Sequence, residues 1–245
     1  MKQDIVSAQE GSRPPRAADT ANPLCIGVRA ARSLALPALA IVLAVSALVS
    51  AYHLSASVAG TLQRIADLKS SMGPAFAMAS TALLAGVVPL AFRIAIPSLR
   101  PAHPGRELAF GIVWWGSMGL VLDHFYGLLA TIYDSRGWSI PATVIAKVAS
   151  DMLLFTPLFA SPANAISHLW KDLDFSFGAL RARMKGNWYA RIVLPNLVPN
   201  LVVWIPGVAC VYAMPQDLQL PLANLIGCFW ALMCLQIASI TRHTR

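Results

Sequence analysis

The sequence predicts an all-α polytopic membrane protein, a helix bundle of about six spans. Six long stretches with few charges fill the chain after residue 32, and each can supply the roughly 20 apolar residues that a spanning helix needs. Hydrophobic residues make up 57% of the 245 residues, and the mean hydropathy is +0.60. Both values are well above those of a soluble domain of this length. Outside these stretches, Lys and Arg fall almost entirely on alternate connections.

The elements follow in order from these stretches. Residues 1–32 mix Pro, Gly, Ser and charges of both signs without an apolar period, which predicts a disordered N-terminal arm. The apolar run that follows is too long for the core of a signal peptide, so we expect it to be retained as an additional N-terminal span, residues 33–63. Residues 70–241 form the rest of the bundle. The other five predicted spans are residues 70–92, 108–133, 137–170, 192–216 and 218–241.

The cations between the spans predict the topology. The N-terminal arm, the connections after the second and fourth spans and the C-terminal tail contain 15 Lys and Arg, whereas the opposite side has 3, namely Arg64, Lys69 and Arg136. Because basic connections resist translocation, both termini are expected on the same, non-translocated side.

The third span carries a stripe of small residues around a carboxylate. Gly111, Trp115, Gly119, Asp123 and Gly127 recur every four residues and therefore share one slowly turning face. Glycines on such a face let a neighbouring helix come close. We expect that helix to shield or pair Asp123, because a charge inside a span is costly and is kept away from lipid.

The fourth span contains two opposite charges and a proline. Lys147 and Asp151 are four residues apart and so lie on one helix face, where they can neutralise each other. They form either an intrahelical ion pair or a polar lining in which Asp123 shares Lys147. Pro157 is expected to end or kink the helix shortly afterwards.

The fifth span is expected to be broken by prolines. Pro195, Pro199 and Pro206 each remove a backbone donor. Asn196 and Asn200 lie one turn apart beside these prolines. Their amides either satisfy the freed carbonyls or face a water-filled cavity, since irregular backbone in a membrane must avoid lipid.

No motif for catalysis, metal binding or cofactor binding stands out. The chain lacks HExxH, GxSxG and P-loop patterns, and its four cysteines form no CxxC pair. The sequence therefore predicts no enzyme, no cofactor and no metal site. His124 beside Asp123 is the one feature that points towards an intramembrane enzyme. The net charge of +8 is spread over short connections, which argues against a nucleic-acid partner.

Three runs resemble a family of small multi-pass proteins, typified by the twenty-two-kilodalton peroxisomal membrane protein and the mitochondrial inner-membrane protein Mpv. GLVLDHFYGLL is similar to the family's G-P-x-x-H-x-W-Y-x-x-L run, and KVASDMLLFTP to its K-x-x-x-D-Q run followed by proline. MPQDLQLPLANLIGCFW keeps the offsets of its V-P-x-x-x-R run, which continues through asparagine to tryptophan. The matched positions include Gly119, Tyr126, Pro157, Pro215, Asn224 and Trp230, which we interpret as helix-packing residues.

This resemblance covers roughly residues 72–240 and implies a compact bundle in an organelle membrane. It also implies a weakly selective channel for small solutes. The mitochondrial inner membrane is the first expectation, with the peroxisomal membrane or a bacterial inner membrane as alternatives.

Two functional hypotheses remain from the sequence. The first is a channel or carrier for small solutes, lined by Asp123, Lys147, Asp151, Asn196 and Asn200. The second is a non-conducting structural or partner-binding subunit, in which the glycine stripe of the third span binds a partner and the charges form an internal lock. In both hypotheses the expected environment is the lipid bilayer. The protein is expected there as a homo-oligomer or as part of a membrane complex.

Overall fold

A computed structural model describes residues 23–243 of the chain. The described residues are almost entirely helical and contain no strand, and six helical stretches are long and apolar enough to cross a membrane. This confirms the predicted class, an all-α polytopic membrane bundle. The first to sixth spans are Leu34–Leu54, Pro74–Ala95, Pro104–Arg136, Ile140–Asp172, Tyr189–Tyr212 and Gln216–Leu235. The helix of the sixth span continues to His243.

The N-terminal part differs from its predicted boundaries. The helix of the first span begins at Pro23 and ends at Leu54, so residues 23–32 are helical rather than part of a disordered arm. Proline is favoured at the first position of a helix, where its missing N–H costs nothing. Residues 1–22, the rest of the predicted arm, lie outside the described residues.

A second helix, Ala56–Met72, separates the first two spans, and we call it the linking helix. Residues 55–63 therefore do not continue the first span as predicted. Ser55 has an extended backbone, and its hydroxyl accepts a hydrogen bond from the amide of Val58, which caps the new helix. Gly73, with a φ of 55°, makes the turn into the second span.

Three spans contain π-helical segments, and each segment lies at or just before a proline. These segments are Ala82–Val87 before Pro89, Asp151–Ala160 around Pro157, and Tyr189–Val193 before Pro195. A proline removes one hydrogen bond from the regular ladder, and a wider turn is one way in which a helix accommodates the loss. The fourth span thus changes its helix type around Pro157 without ending.

The fifth span departs from regular α-helix at its start. The π-helical segment is followed by an uninterrupted α-helix from Leu194 to Tyr212, with Pro199 and Pro206 inside it. Pro195 follows directly on the π-helical segment, whose wider turns accommodate its missing donor. The two later prolines therefore do not break the span, contrary to the expected interruption.

The sixth span is the most buried of the six and packs against the second, third and fifth spans. The first span lies along the fifth, where Ile41 and Val45 enter the common core with Val208 and Val211. The additional N-terminal span is thus an integral part of the bundle.

The second and third spans approach each other at glycines. A Cβ atom added to Gly119 would lie 2.3 Å from the carbonyl oxygen of Ala77 and 2.4 Å from the hydroxyl of Thr81. Gly86 and Gly111 meet in the same way nearer the other end, where a Cβ on Gly86 would lie 2.9 Å from the Gly111 oxygen. The missing side chains therefore permit direct backbone contact between the two spans.

Large apolar side chains point outward from the spans. Leu36, Val113 and Leu158 are 78%, 69% and 74% exposed, respectively. A soluble protein would not expose such side chains along whole helices, whereas a hydrocarbon environment covers them. The chain is thus an integral multi-pass membrane protein.

Two short 3-10 helices and one short helix complete the connections. Pro97–Leu99 follows the second span, and Asp134–Arg136 ends the third. The helix Phe177–Arg183 lies between the fourth and fifth spans. We call the end of the bundle with the linking helix and residues 134–139 and 213–215 the pocket face, and the opposite end the basic face.

Candidate functional site

The charge on the third span is paired with a residue of the linking helix. Asp123 lies 2.9 Å from the ammonium of Lys69, and that ammonium also donates to the carbonyl of Gln216 at 3.4 Å. Gly119 lies one turn from Asp123 and lets the second span come close to the third. Lys69 lies just before the start of the second span, so its ammonium reaches the carboxylate. Lys69 is buried, so the pair joins the linking helix to the third span inside the bundle.

Lys147 has a different partner from the one expected. Its ammonium lies 2.7 Å from Asp134, in the turn after the third span, and only 3% of its side chain is exposed. Side chains on a helix lean towards its N-terminus, which carries Lys147 back towards this turn and away from Asp151. The intrahelical pair between Lys147 and Asp151, one of the two alternatives, is therefore wrong.

Asp151 is held by hydroxyl groups. Tyr212 donates to one carboxylate oxygen at 2.7 Å, and Thr156 donates to the other at 3.1 Å. Tyr126 packs edge-on against Tyr212, with ring centroids 5.5 Å apart. All four side chains are buried. Among the described residues, no cation lies within 4.0 Å of Asp151.

The structure thus does not join Asp123, Lys147 and Asp151 in one site. Each belongs to a separate contact, with Lys69, Asp134 and Tyr212 as the respective partners. Sequence reasoning treated Lys69 only as a topology signal and did not single out Asp134 or Tyr212. Lys69 and Asp123 are 54 residues apart in the chain, and Asp151 and Tyr212 are 61 apart, so no local sequence pattern reveals these contacts.

A polar pocket of about 260 Å³ opens at the pocket face between the third, fourth, fifth and sixth spans. Lys147, Asp134 and Tyr212 line it, together with Gln219 and Gln216 from the sixth span. Gln219 is 2% exposed, and its amide nitrogen donates to the carbonyl of Met214 at 3.1 Å. In the described part of the chain its side-chain oxygen is buried and accepts no hydrogen bond.

The two asparagines of the fifth span are not part of this pocket. Asn196 is exposed, and its side chain donates to the carbonyl of Ile192 on its own helix at 3.2 Å. Asn200 is half-buried. The first asparagine thus satisfies a carbonyl beside the prolines, which was one of the two alternatives.

The residues that the motif resemblance singled out lie mostly in helix contacts. Asn224 is buried and bonds with Thr81 and Ser80, which ties the sixth span to the second. The carbonyl of Pro157 accepts a hydrogen bond from the Tyr189 hydroxyl at 2.9 Å. Trp230 packs against the core, and Pro215 is exposed at the rim of the pocket.

A second charged cluster lies towards the basic face. Glu107 accepts from Lys171 at 2.6 Å and from Arg93 at 3.0 Å, which joins the fourth and second spans to the third. Arg106 pairs with Asp174 at 2.5 Å close by. Within the described residues these cations are matched by carboxylates, so the cluster acts as a clamp between spans.

Comparison with known proteins found no matching family model, no matching curated protein and no matching solved structure. Membership of the peroxisomal and mitochondrial family stays a prediction drawn from the three runs. The geometry of the pocket and of Asp151 is therefore the basis for a functional proposal.

Proposed function

We propose that the protein moves small polar solutes across its membrane, as a weakly selective channel or carrier that opens at the pocket face. The observation that carries this proposal is the buried Asp151, held by hydroxyl groups beside a polar pocket. The sequence resemblance supports the same functional class.

The position of Asp151 makes its charge costly. The fourth span begins at Ile140, so Asp151 is eleven residues into the helix, or roughly 16 Å at 1.5 Å per residue. A carboxylate at such depth carries an insertion penalty of roughly 3 kcal/mol, and residues of this kind commonly mark a solute or ion pathway. Asp123 and Lys147, the other two charges that stand out inside the spans, have counterions, whereas Asp151 has only hydroxyl donors.

Tyr212 connects Asp151 to the pocket. Its ring lines the pocket and its hydroxyl donates to the carboxylate at 2.7 Å. A solute in the pocket that carries a hydrogen-bond donor or a positive charge would reach Asp151 by displacing this single hydroxyl. In this proposal Tyr212 is the inner gate and Asp151 is the binding group behind it.

Flux into reconstituted liposomes tests the proposal. Vesicles containing the protein should swell faster than empty vesicles when challenged with glycerol or with ethylammonium chloride. Asp151→Asn should lower the ethylammonium flux about tenfold, the effect of losing one charge-assisted hydrogen bond. Asp67→Asn, which changes an exposed carboxylate of the linking helix, is the matched control and should leave flux unchanged.

Folded and correctly inserted protein whose vesicles are as tight as empty ones would overturn the transport proposal. Equal flux for Asp151→Asn and the unaltered chain would instead remove Asp151 from the pathway. Circular dichroism and protease protection establish folding and insertion in each case.

The rival function, a non-conducting subunit, relied on the glycine stripe as a partner surface. Gly111 and Gly119 face the backbone of the second span, so these two positions serve contacts within the chain. Among the described residues, this geometry favours the transport proposal over that form of the rival. The proposal includes no enzymatic step, and it takes the mitochondrial inner membrane as the site of action from the resemblance alone.

A further inference from the structure

An apolar groove of about 420 Å³ runs between the fourth and fifth spans. Its walls are entirely aliphatic or thioether side chains: Val144, Ile145, Val148, Ala149, Met152 and Leu153 on one side, and Ile205, Pro206 and Ala209 on the other. Ile145 and Leu153 stand at the rim, 68% and 66% exposed. The lining covers residues 144–153 of the fourth span, or roughly 14 Å along the helix.

The groove adjoins the polar pocket. Val144 lines both, and Lys147, in the pocket, is followed directly by Val148, in the groove. A molecule lying along the fourth span would therefore meet charged groups at the pocket face and hydrocarbon further into the membrane. This order of polar and apolar surface is that of a membrane lipid in one leaflet.

The charges of the pocket select among headgroups. Lys147 supplies a buried ammonium, which favours a phosphate, and Asp134 supplies a carboxylate that is half-exposed and open to a cation. The buried side-chain oxygen of Gln219 lacks a donor in the described chain. An unpaired buried acceptor costs free energy, so the matching ligand brings an N–H or O–H group to it.

We propose that the pocket and groove together bind a phospholipid with a primary-amine zwitterionic headgroup, of the ethanolamine type. The phosphate binds Lys147, the ammonium binds Asp134 and the Gln219 oxygen, and an acyl chain fills the groove. A choline headgroup has no N–H donor for Gln219. A headgroup with a net negative charge has no cation of its own to pair with the Asp134 carboxylate. This binding goes beyond the proposed transport and holds with or without flux.

Native mass spectrometry of the full chain with added lipids tests the inference. Phosphatidylethanolamine adducts should persist about tenfold better than phosphatidylcholine or phosphatidylglycerol adducts of the same chain length, as expected for one charge-assisted hydrogen bond. Gln219→Leu should remove the preference over phosphatidylcholine. Asp134→Asn should shift the preference towards phosphatidylglycerol, because Lys147 then lacks a carboxylate.

The groove is tested by filling it. Ala209→Leu should reduce adducts of all three lipids, whereas Ala91→Leu, at an exposed position of the second span, should not. A photoactivatable ethanolamine lipid in vesicles should crosslink to residues 140–153 and 205–219. Two results would overturn the site and leave only non-specific bilayer lipid. One is equal retention of the three lipids in the unaltered chain and in every variant. The other is crosslinks spread evenly over the outward faces.

Discussion

At the residue scale, burial decides how much each ion pair matters. Lys147 is 3% exposed, whereas the side chain of its partner Asp134 is 49% exposed. Removing the aspartate strands a buried ammonium, whereas removing the lysine leaves a carboxylate that water can reach. The two single substitutions therefore have unequal costs.

Asp134→Asn should lower the free energy of unfolding by roughly 3 kcal/mol, at the lower end of the cost of leaving a buried charge unpaired. Adding Lys147→Met should restore most of this loss, because both members of the pair are then gone. Thermal unfolding in detergent provides the measurement. The control is Asp174→Asn, which removes a pair at an exposed position and should cost about 0 to 1 kcal/mol.

The same series separates the observed pairing from the expected one. If Asp151 rather than Asp134 were the partner of Lys147, Asp151→Asn would need Lys147→Met for rescue. The structure predicts no such rescue, because Asp151 contacts Tyr212 and Thr156. A restored melting temperature in the Lys147/Asp151 double variant would therefore contradict the observed contacts.

At the element scale, the contact between the second and third spans depends on individual glycines. Gly119 and Gly116 lie on the same helix, but their surroundings differ. An added Cβ would lie 2.3 Å from Ala77 oxygen at Gly119, and 3.6 Å from Met78 oxygen at Gly116. The first distance requires the two helices to separate, and the second is an ordinary van der Waals contact.

Gly119→Ala should destabilise the bundle by about 1 to 3 kcal/mol, the usual cost of overpacking. It should also weaken the Asn224–Thr81 hydrogen bonds, since Thr81 is one of the groups that must move. Gly116→Ala should be neutral or stabilising by up to about 1 kcal/mol, because alanine is the better helix former. Unfolding of both variants in detergent tests this, and an equal loss in the two would exclude close packing at Gly119 as the cause.

At the scale of the whole molecule, we predict that the six spans leave the two ends of the described chain, Pro23 and His243, on the same side of the membrane. Because successive spans alternate in direction, that side also carries the connections after the second and fourth spans, and their cations predict that it is the non-translocated side. A cysteine at Ala102 and one at Ser135, both exposed positions, should therefore be labelled from opposite sides by an impermeant maleimide, in a chain lacking its native cysteines. Labelling of both from the same side would show that the topology is wrong.

Much of the architecture was predictable because it depends on local properties. Each span must bury its backbone polar groups in its own helix and present apolar side chains to lipid, so length and hydropathy suffice to locate it. The boundaries near Pro23 and Ser55 were wrong because a proline at a helix start and a serine cap act over single residues, which an average over a whole span conceals.

The site was predictable only in part. Asp123, Lys147 and Asp151 stand out in the sequence because charges inside spans are rare. Their partners Lys69, Asp134 and Tyr212 do not stand out in the sequence, because they belong to other elements. Asp134 and Tyr212 also lie next to connections.

By itself, the sequence determined that this chain is a six-span helical membrane protein, because hydrophobic transfer and backbone hydrogen bonding are properties of each segment alone. Only the tertiary structure decided which charges meet, that Gly119 brings the second span against the third, and that a polar pocket adjoins an apolar groove. These features depend on the rotation and depth of each helix relative to its neighbours. That placement results from the packing of all six spans together and is not encoded in any one of them.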